Sequence, residues 1–291
     1  MPPNTQQQPP ELSVVIPAKN ESATIGGLVT EIRSLHPEAE VVVVDDGSTD
    51  STGDLAEQAG ARVVRHPESL GNGAAVKSGA RASSGEILCF MDADGQHEPA
   101  KIASLVLKLD QGYDMVIGAR ESRSHASAGR LVANGFYNRF ASLIAGRTIA
   151  DLTSGFRVVR AHLFKRFLYL LPNGFSYPTT VTMAFLRSGY PVGFVPIEAR
   201  QRSGQSHIRP LRDGVRFLII IFKIATLYAP LKVFLPVSAF FFLTGLGYYA
   251  YTYFTMGRFT NMSLLVFSAS VIVFLIGLVS EQITALTYSK S

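Results

Sequence analysis

Over the first 120 residues, short apolar runs alternate with stretches whose apolar positions recur at helical spacing. Leu12–Pro17, Glu40–Val44, Ala61–Arg65, Glu86–Met91 and Asp114–Gly118 read as strands, each short and mostly rich in Val, Ile or Leu. Between them Ala23–Leu35, Asp50–Ala59, Gly73–Ala82 and Pro99–Asp110 read as helices, the first with Ser22 as its N-cap. This alternation predicts an α/β fold with a mainly parallel, helix-covered sheet. Ligands of such sheets gather beyond the carboxyl ends of the strands. Three polar clusters fall there, Lys19-Asn20-Glu21, Asp45-Asp46 and Asp92-Ala93-Asp94, and together they predict an acidic pocket.

The pattern changes near the end of the chain. Leu231–Phe254 and Ser263–Leu286 are two largely apolar stretches with no charge inside except Lys232 at one edge and Glu281 near the other end. Each would span about 36 Å as a helix, enough for a hydrocarbon core of about 30 Å. The short Thr255–Met262 link makes them a hairpin, and two buried core helices are the alternative. Arg209, Arg212, Arg216, Lys223 and Lys232 precede the hairpin, against Arg258 in its loop, so the positive-inside rule places both termini in the cytoplasm. Leu211–Tyr228 is apolar with Arg212, Asp213, Arg216 and Lys223 spaced through it. That suits a juxtamembrane amphipathic helix at the bilayer surface, or a plain connecting helix packed on the preceding domain. The expected organisation is a flexible tail over 1–10, an α/β domain over 11–210, the juxtamembrane helix over 211–229 and a transmembrane hairpin over 230–291.

Composition sharpens this in two places. The 291 residues are 47% hydrophobic and only 17% charged, and Leu231–Ser291 holds just four charged residues, so the chain is neither disordered nor wholly soluble. The Pro/Gln-rich start, Met1–Pro10, has no apolar core and is not a signal peptide, which keeps the α/β domain on the cytoplasmic side of the membrane. The net charge of +5 is spread out, with no basic run interleaved with aromatics, which argues against a nucleic-acid partner. Cys89, the single cysteine, excludes an internal disulfide and reads as a buried thiol.

Asp92-Ala93-Asp94 is a DxD pair at a strand end, followed by Gly95-Gln96-His97. Two carboxylates on one turn can hold a hard divalent cation and leave its other positions to phosphate and water. The oxygen-rich setting favours Mg²⁺ or Mn²⁺ over zinc, and His66, His97 and His125 lack metal-ligand spacing. Arg120, Arg123, Arg130 and Arg157 are candidates for phosphate, because guanidinium forks match its oxygens. Gly71-Asn72-Gly73 fails as a dinucleotide fingerprint, since Val76 stands at the third glycine position. It reads as a loop and helix start near a ligand of the acidic pocket, with Gly73 and Lys77 as candidate contacts.

Val14–Glu21, Val44–Asp50, Asp92–His97, Gly118-Ala119-Arg120 and Asp151-Leu152-Thr153-Ser154-Gly155-Phe156-Arg157 together resemble family 2 glycosyltransferases of the GT-A fold. More narrowly, they resemble the polyprenyl-phosphate branch. The resemblance implies a membrane-bound enzyme of the inner membrane that moves one sugar, with inversion, from a nucleotide-diphosphate sugar to polyprenyl phosphate. A UDP-hexose is the first expectation for the donor and GDP-mannose the next. Pro17, Glu21, Asp45 and Asp46 would line base and ribose beside Lys19, which stands where relatives often carry an aromatic. Asp92, Asp94 and Gln96 would meet the metal, with Asp92 also on the donor side. Arg120, Ser154 and Arg157 would hold the lipid phosphate, with Arg130 as a further candidate. Arg202, in Arg202–His207, would join them from a segment that closes over the site. Asp94, Asp151 and Arg157 would stand at the chemistry, Asp151 orienting the phosphate, accepting a proton or capping a turn. A homo-oligomer would cover the polar Thr and Ser faces of two thin helices. A processive polysaccharide synthase is a poor rival, since the chain has no Trp for that group's Trp-containing element. A non-catalytic sensor would have no use for an acceptor-phosphate motif.

Overall fold

The computed structural model describes residues 11–120, 135, 138–139, 141–174, 176–198, 222, 226 and 228–289. By internal contacts the chain divides into two units, Met1–Phe140 with Arg147–Ile208, and Ala141–Gly146 with Arg209–Ser291.

The first unit is built on seven strands: β1 (Leu12–Ala18), β2 (Glu40–Asp45), β3 (Arg62–Arg65), β4 (Ile87–Phe90), β5 (Met115–Arg120), β6 (Arg157–Arg160) and β7 (Val192–Ile197), in the order β3-β2-β1-β4-β6-β5-β7. All the pairings are parallel except those of β6, which runs antiparallel between β4 and β5. Val41–Val44 and Val14–Ile16 are buried on both faces, which explains why these central strands read as continuous β-branched runs. The edge strand β3 exposes Arg62 and Arg65, charges that discourage further strand pairing. Cys89 lies in β4 opposite Val14, fully buried, with its thiol pKa pushed up by desolvation.

Among the described residues this unit's bounded α-helices are α1 (Ile25–Leu35), α2 (Thr52–Gln58), α3 (Asn72–Ala82), α4 (Ile102–Leu109), α5 (Ala161–Arg166) and α6 (Tyr177–Arg187). The starts of α1, α2 and α4 shift inward, and α3 begins one residue early. Thr24, not Ser22, is the residue before α1, and its hydroxyl donates to the Ala93 carbonyl at 2.8 Å. Asp50 stays outside α2, its carboxylate accepting from the Thr52 N–H at 3.1 Å and the Ser22 N–H at 3.3 Å. Pro99–Lys101 is a 3₁₀ turn before α4.

The second unit holds α7 (Pro230–Met256) and α8 (Asn261–Ser289), joined by a turn at Gly257. Both helices are long and apolar enough to cross a membrane, and most of their surface is exposed, unlike core helices of a soluble fold. They meet through small and polar residues. Ser238 and Ser270 each donate to the other's carbonyl at 3.0 Å. Gly277 lies where an added Cβ would stand 2.6 Å from Phe234. Ser238, Thr252, Ser263, Ser270 and Thr284 are buried inside the hairpin, while Thr244, Thr255 and Ser268 stay exposed. Lys232 Nζ donates to the Ile144 carbonyl at 2.8 Å, tying 141–146 to this unit. The expected juxtamembrane helix and the flexible tail fall outside the described residues, apart from isolated positions in the former.

Candidate active site

The sheet brings the carboxyl ends of β2, β1 and β4 side by side, so the three polar clusters converge as the alternation predicts. Asn20 sits in the left-handed region (φ 55) and ties the first two clusters together. Its N–H donates to Ser48 Oγ at 3.0 Å, and its side-chain oxygen accepts from the Thr49 N–H at 2.8 Å. The Glu21 N–H donates to Thr52 Oγ1 at 2.8 Å, while Lys19 is exposed and Pro17 buried. Asp45 Oδ1 accepts the Ser48 N–H at 2.9 Å.

Asp46 has a different job from the one expected. It is 4% exposed and accepts four hydrogen bonds or ion-pair contacts: His66 Nδ1 at 2.8 Å, Ser69 Oγ at 2.8 Å, and the N–H groups of Leu70 and Gly71 at 2.8 and 2.9 Å. Burial alone would raise its pKa, but these donors together hold the carboxyl below its ordinary value. Its oxygens are spent on the 66–71 loop and are not presented to a nucleotide. His66 carries the bracing onward, with Nε2 2.9 Å from Ser78 Oγ on α3.

Gly73 and Lys77 are likewise committed. Gly71 (φ 100) turns the chain into α3, and the Ala74 N–H donates to the Asn173 carbonyl at 2.9 Å. A Cβ on Gly73 would stand 2.0 Å from the Pro172 carbonyl oxygen, so glycine is required by close backbone approach. Lys77 Nζ donates to the Leu171 carbonyl at 3.1 Å and to Asn173 Oδ1. The start of α3 therefore holds the 171–174 loop rather than an open phosphate site.

Beyond β4 the arrangement is more open. The side chain of Asp92 is 35% exposed, and Asp94 Oδ1 accepts the Gln96 N–H at 3.1 Å, closing the DxD turn. His97 folds beneath, 5% exposed and stacked on Phe156 with ring centroids 5.1 Å apart. Its Nε2 lies 3.9 Å from Asp92 Oδ2, and burial pushes its pKa down to about 4, leaving it neutral at pH 7. Gly155 packs so closely that an added Cβ would stand 2.7 Å from Asp92 Oδ2. The DxD turn and the Asp151–Arg157 segment thus lie side by side.

Arg120 forks onto Asp151, Nε to Oδ2 at 2.8 Å and Nη2 to Oδ1 at 3.1 Å, and Nη2 also reaches Thr153 Oγ1 at 2.6 Å. Asp151 further accepts the N–H groups of Thr153 and Ser154, at 3.0 and 3.1 Å. Burial would raise its pKa, but the Arg120 hydrogen bonds and charge and the backbone N–H groups hold it down. Of the three roles open to Asp151, the geometry shows the turn cap, and it also shows Asp151 clamping Arg120. Burial opposes the Arg120 charge, and Asp151, with Asp92 nearby, raises its pKa instead. The Arg120 side chain keeps 32% of its surface exposed.

Arg157 is the main correction. It begins β6, has no exposed surface, and donates to Pro178 O (2.9 Å), Thr182 Oγ1 (3.0 Å) and Ser154 O. Desolvation lowers its pKa, against the pull of Tyr177, Asp151 and Asp92. As placed it cannot touch a bound phosphate. Ser154 is also buried, with Oγ unpartnered among the described residues. Arg123, Arg130 and Arg202 lie outside the described residues. The supports at Tyr177, Thr182 and His66 were missed, because each acts only across a long stretch of chain. The one local hint is Tyr177-Pro178, a proline at a helix start.

Metal fit rests on the chemistry of the donors. Among the described residues no three His, Cys, Asp or Glu side chains form a metal-holding group. A partly exposed DxD pair of hard carboxylate oxygens suits Mg²⁺ or Mn²⁺, ions that keep several positions for water and phosphate. The residues present fit such an ion.

An open α/β sheet gathers its ligands at the carboxyl ends of its strands, where this chain places a carboxylate turn and a partly exposed arginine. The glycosyl transferase family 2 model matches residues 13–168 and a GtrB C-terminal hairpin model matches 229–286; the chain belongs to glycosyltransferase family 2 and is a glycosyltransferase with a GT-A-like fold. It is 31% identical to glycosyltransferase AglJ of Haloferax volcanii, over 82% of this chain and 80% of that protein. It is 31% identical to a dolichyl-phosphate hexose transferase of the same organism (70% of this chain, 89% of that protein). It is 28% identical to polyprenol monophosphomannose synthase of Mycolicibacterium smegmatis (65% and 77%). Among solved structures, glucosyl-3-phosphoglycerate synthase from Mycobacterium tuberculosis with Mn²⁺, UDP and glucosyl-3-phosphoglycerate is similar at TM-score 0.59 and 26% identity, over 74% of this chain and 78% of that one.

Proposed function

We propose that this glycosyltransferase moves one hexose from a nucleoside diphosphate, UDP before GDP, to a polyprenyl phosphate at the cytoplasmic face of the inner membrane, with inversion. The observation that carries the reading is the close approach of Gly155 to Asp92, which supports a site shared by the DxD turn and the Asp151–Arg120 pair. Relatives named for dolichyl phosphate and polyprenol monophosphomannose support the acceptor, and the hairpin supports a lipid one. Pro17, Lys19, Glu21 and Asp45 line the nucleoside side, and Arg120 faces the acceptor phosphate. Asp92, Asp94 and Gln96 would hold a divalent cation, which when bound neutralises charge growing on the diphosphate leaving group.

An acceptor of this kind needs no general base. A phosphate monoester is largely dianionic near pH 7, its second pKa being about 6. Its oxygen attacks the anomeric carbon without losing a proton, and the nucleoside diphosphate departs from the opposite face. Asp151, saturated with donors and held low, is suited to fixing Arg120 rather than accepting a proton. Orientation and electrostatic complementarity supply the rate. The proposed topology has both termini cytoplasmic.

The test incubates purified full-length protein with undecaprenyl phosphate, Mn²⁺ and a panel of radiolabelled nucleotide sugars. One donor should yield a labelled, chloroform-soluble lipid carrying the inverted anomer. No labelled lipid with any donor refutes the reading.

A further inference from the structure

The buried guanidinium of Arg157 bridges two elements that are far apart in sequence. One end meets Ser154, in the turn that carries Asp151 and Gly155. The other meets Pro178 O and Thr182 Oγ1 in the first turns of α6. Thr182 Oγ1 in turn donates to Pro178 O at 2.7 Å, so the helix end of the bridge is closed on itself. Tyr177 braces the same place, its ring 5.8 Å from the guanidinium carbon and its hydroxyl 3.4 Å from the Gly155 carbonyl. On the other side of Gly155 stands the Asp92 carboxylate. Burying a cation against carbonyls is costly, and an apolar side chain would fill the space more cheaply. What an apolar substitute lacks is a rigid fork that reaches two backbones at once.

We propose that Arg157 is a positioning residue: its guanidinium staples the Asp151–Gly155 turn to the start of α6 and thereby sets the spacing between Asp92 and the Asp151–Arg120 pair. The inference rests on the transferase reading above and gives Arg157 no contact with substrate. It departs from the phosphate-gripping role that the family resemblance implies. Lysine cannot replace the fork, because one ammonium cannot span Ser154 O and the Pro178–Thr182 pair together.

Full-length enzyme in detergent is compared with Arg157→Lys, Thr182→Val and the double variant. Arg157→Lys should lower kcat about 100-fold and Thr182→Val about fivefold, with KM for the lipid phosphate within about twofold of wild type. The double variant should fall within about threefold of Arg157→Lys, since both residues act in one bridge. A tenfold or greater rise in lipid-phosphate KM at unchanged kcat in Arg157→Lys marks a phosphate ligand and overturns the proposal. So does a wild-type kcat in Thr182→Val, the variant that decides the matter if Arg157→Lys does not fold. Amide hydrogen exchange at Thr153–Gly155, read without substrate, should quicken in the variants while α7 and α8 keep their protection; unchanged exchange overturns the staple. If wild-type enzyme transfers no sugar, the transferase reading fails by itself, and the exchange measurement still decides the role of Arg157.

Discussion

The ends of β2 and β4 each present carboxylates to the same side of the sheet, yet the two places are built to opposite purposes. At β2, Asp46 is nearly sealed and gives its oxygens to His66, Ser69, Leu70 and Gly71. At β4, Asp92 keeps a third of its side-chain surface open against a glycine. The arginines repeat the contrast: Arg120 is partly exposed on a carboxylate, whereas Arg157 is wholly buried on carbonyls. Charge at a strand end is therefore not enough to make a ligand. A buried group whose hydrogen-bonding capacity is filled shapes the site, and one that keeps exposed surface can meet the substrate.

The largest effect should come from the open side. Asp92→Asn and Asp94→Asn should each lower kcat/KM by roughly 10³-fold, as expected for loss of charge stabilisation at a diphosphate. Their melting temperatures should stay close to wild type, which differential scanning fluorimetry checks. Transfer at the wild-type rate in either variant would erase the distinction between the two strand ends.

A smaller effect is expected at Gly155. A Cβ there would stand 2.7 Å from Asp92 Oδ2, so Gly155→Ala must displace a side chain rather than backbone. Folding should survive, while kcat drops roughly 30-fold because the carboxylate is pushed out of place. Steady-state kinetics beside Mn²⁺ titration checks this, with weaker apparent metal affinity expected. Unchanged kinetics would mean that this contact does not matter.

The legibility of these features follows their locality. The DxD turn lies within three residues, and β1, β2 and β4 are buried runs, so pattern alone exposes them. β6 escaped notice because Arg157-Val158-Val159-Arg160 is two valines between arginines, and its reversed direction follows from no local signal. β7 is broken up by Gly193 and Pro196, which disguise a strand. The hairpin was plain, since two long apolar runs allow few other readings. Asp46 looked like a ligand because its partners begin twenty residues away at His66. Arg157 looked like one because Thr182 lies 25 residues further on. Saturation of a polar group is a tertiary fact, and motif matching cannot see it.

The closed side should respond mainly in stability. Asp46→Asn keeps one acceptor oxygen but sets an amide against N–H donors, and should cost about 2 kcal/mol. Donor KM should rise by about fivefold as the 66–71 loop loosens, with a smaller loss in kcat than in Asp92→Asn. The pH dependence sharpens the test. The folded-state pKa of Asp46 is held below its ordinary value of 3.8, so its charged form stabilises the fold above that value. That contribution is lost as the pH falls through the lowered folded value and the carboxyl takes up a proton. The melting-temperature gap between wild type and Asp46→Asn should therefore be widest at pH 6–7 and narrow towards pH 3. A gap that is constant across that range would show that the Asp46 charge contributes nothing to the loop, and the contrast with β4 would have to rest on exposure alone.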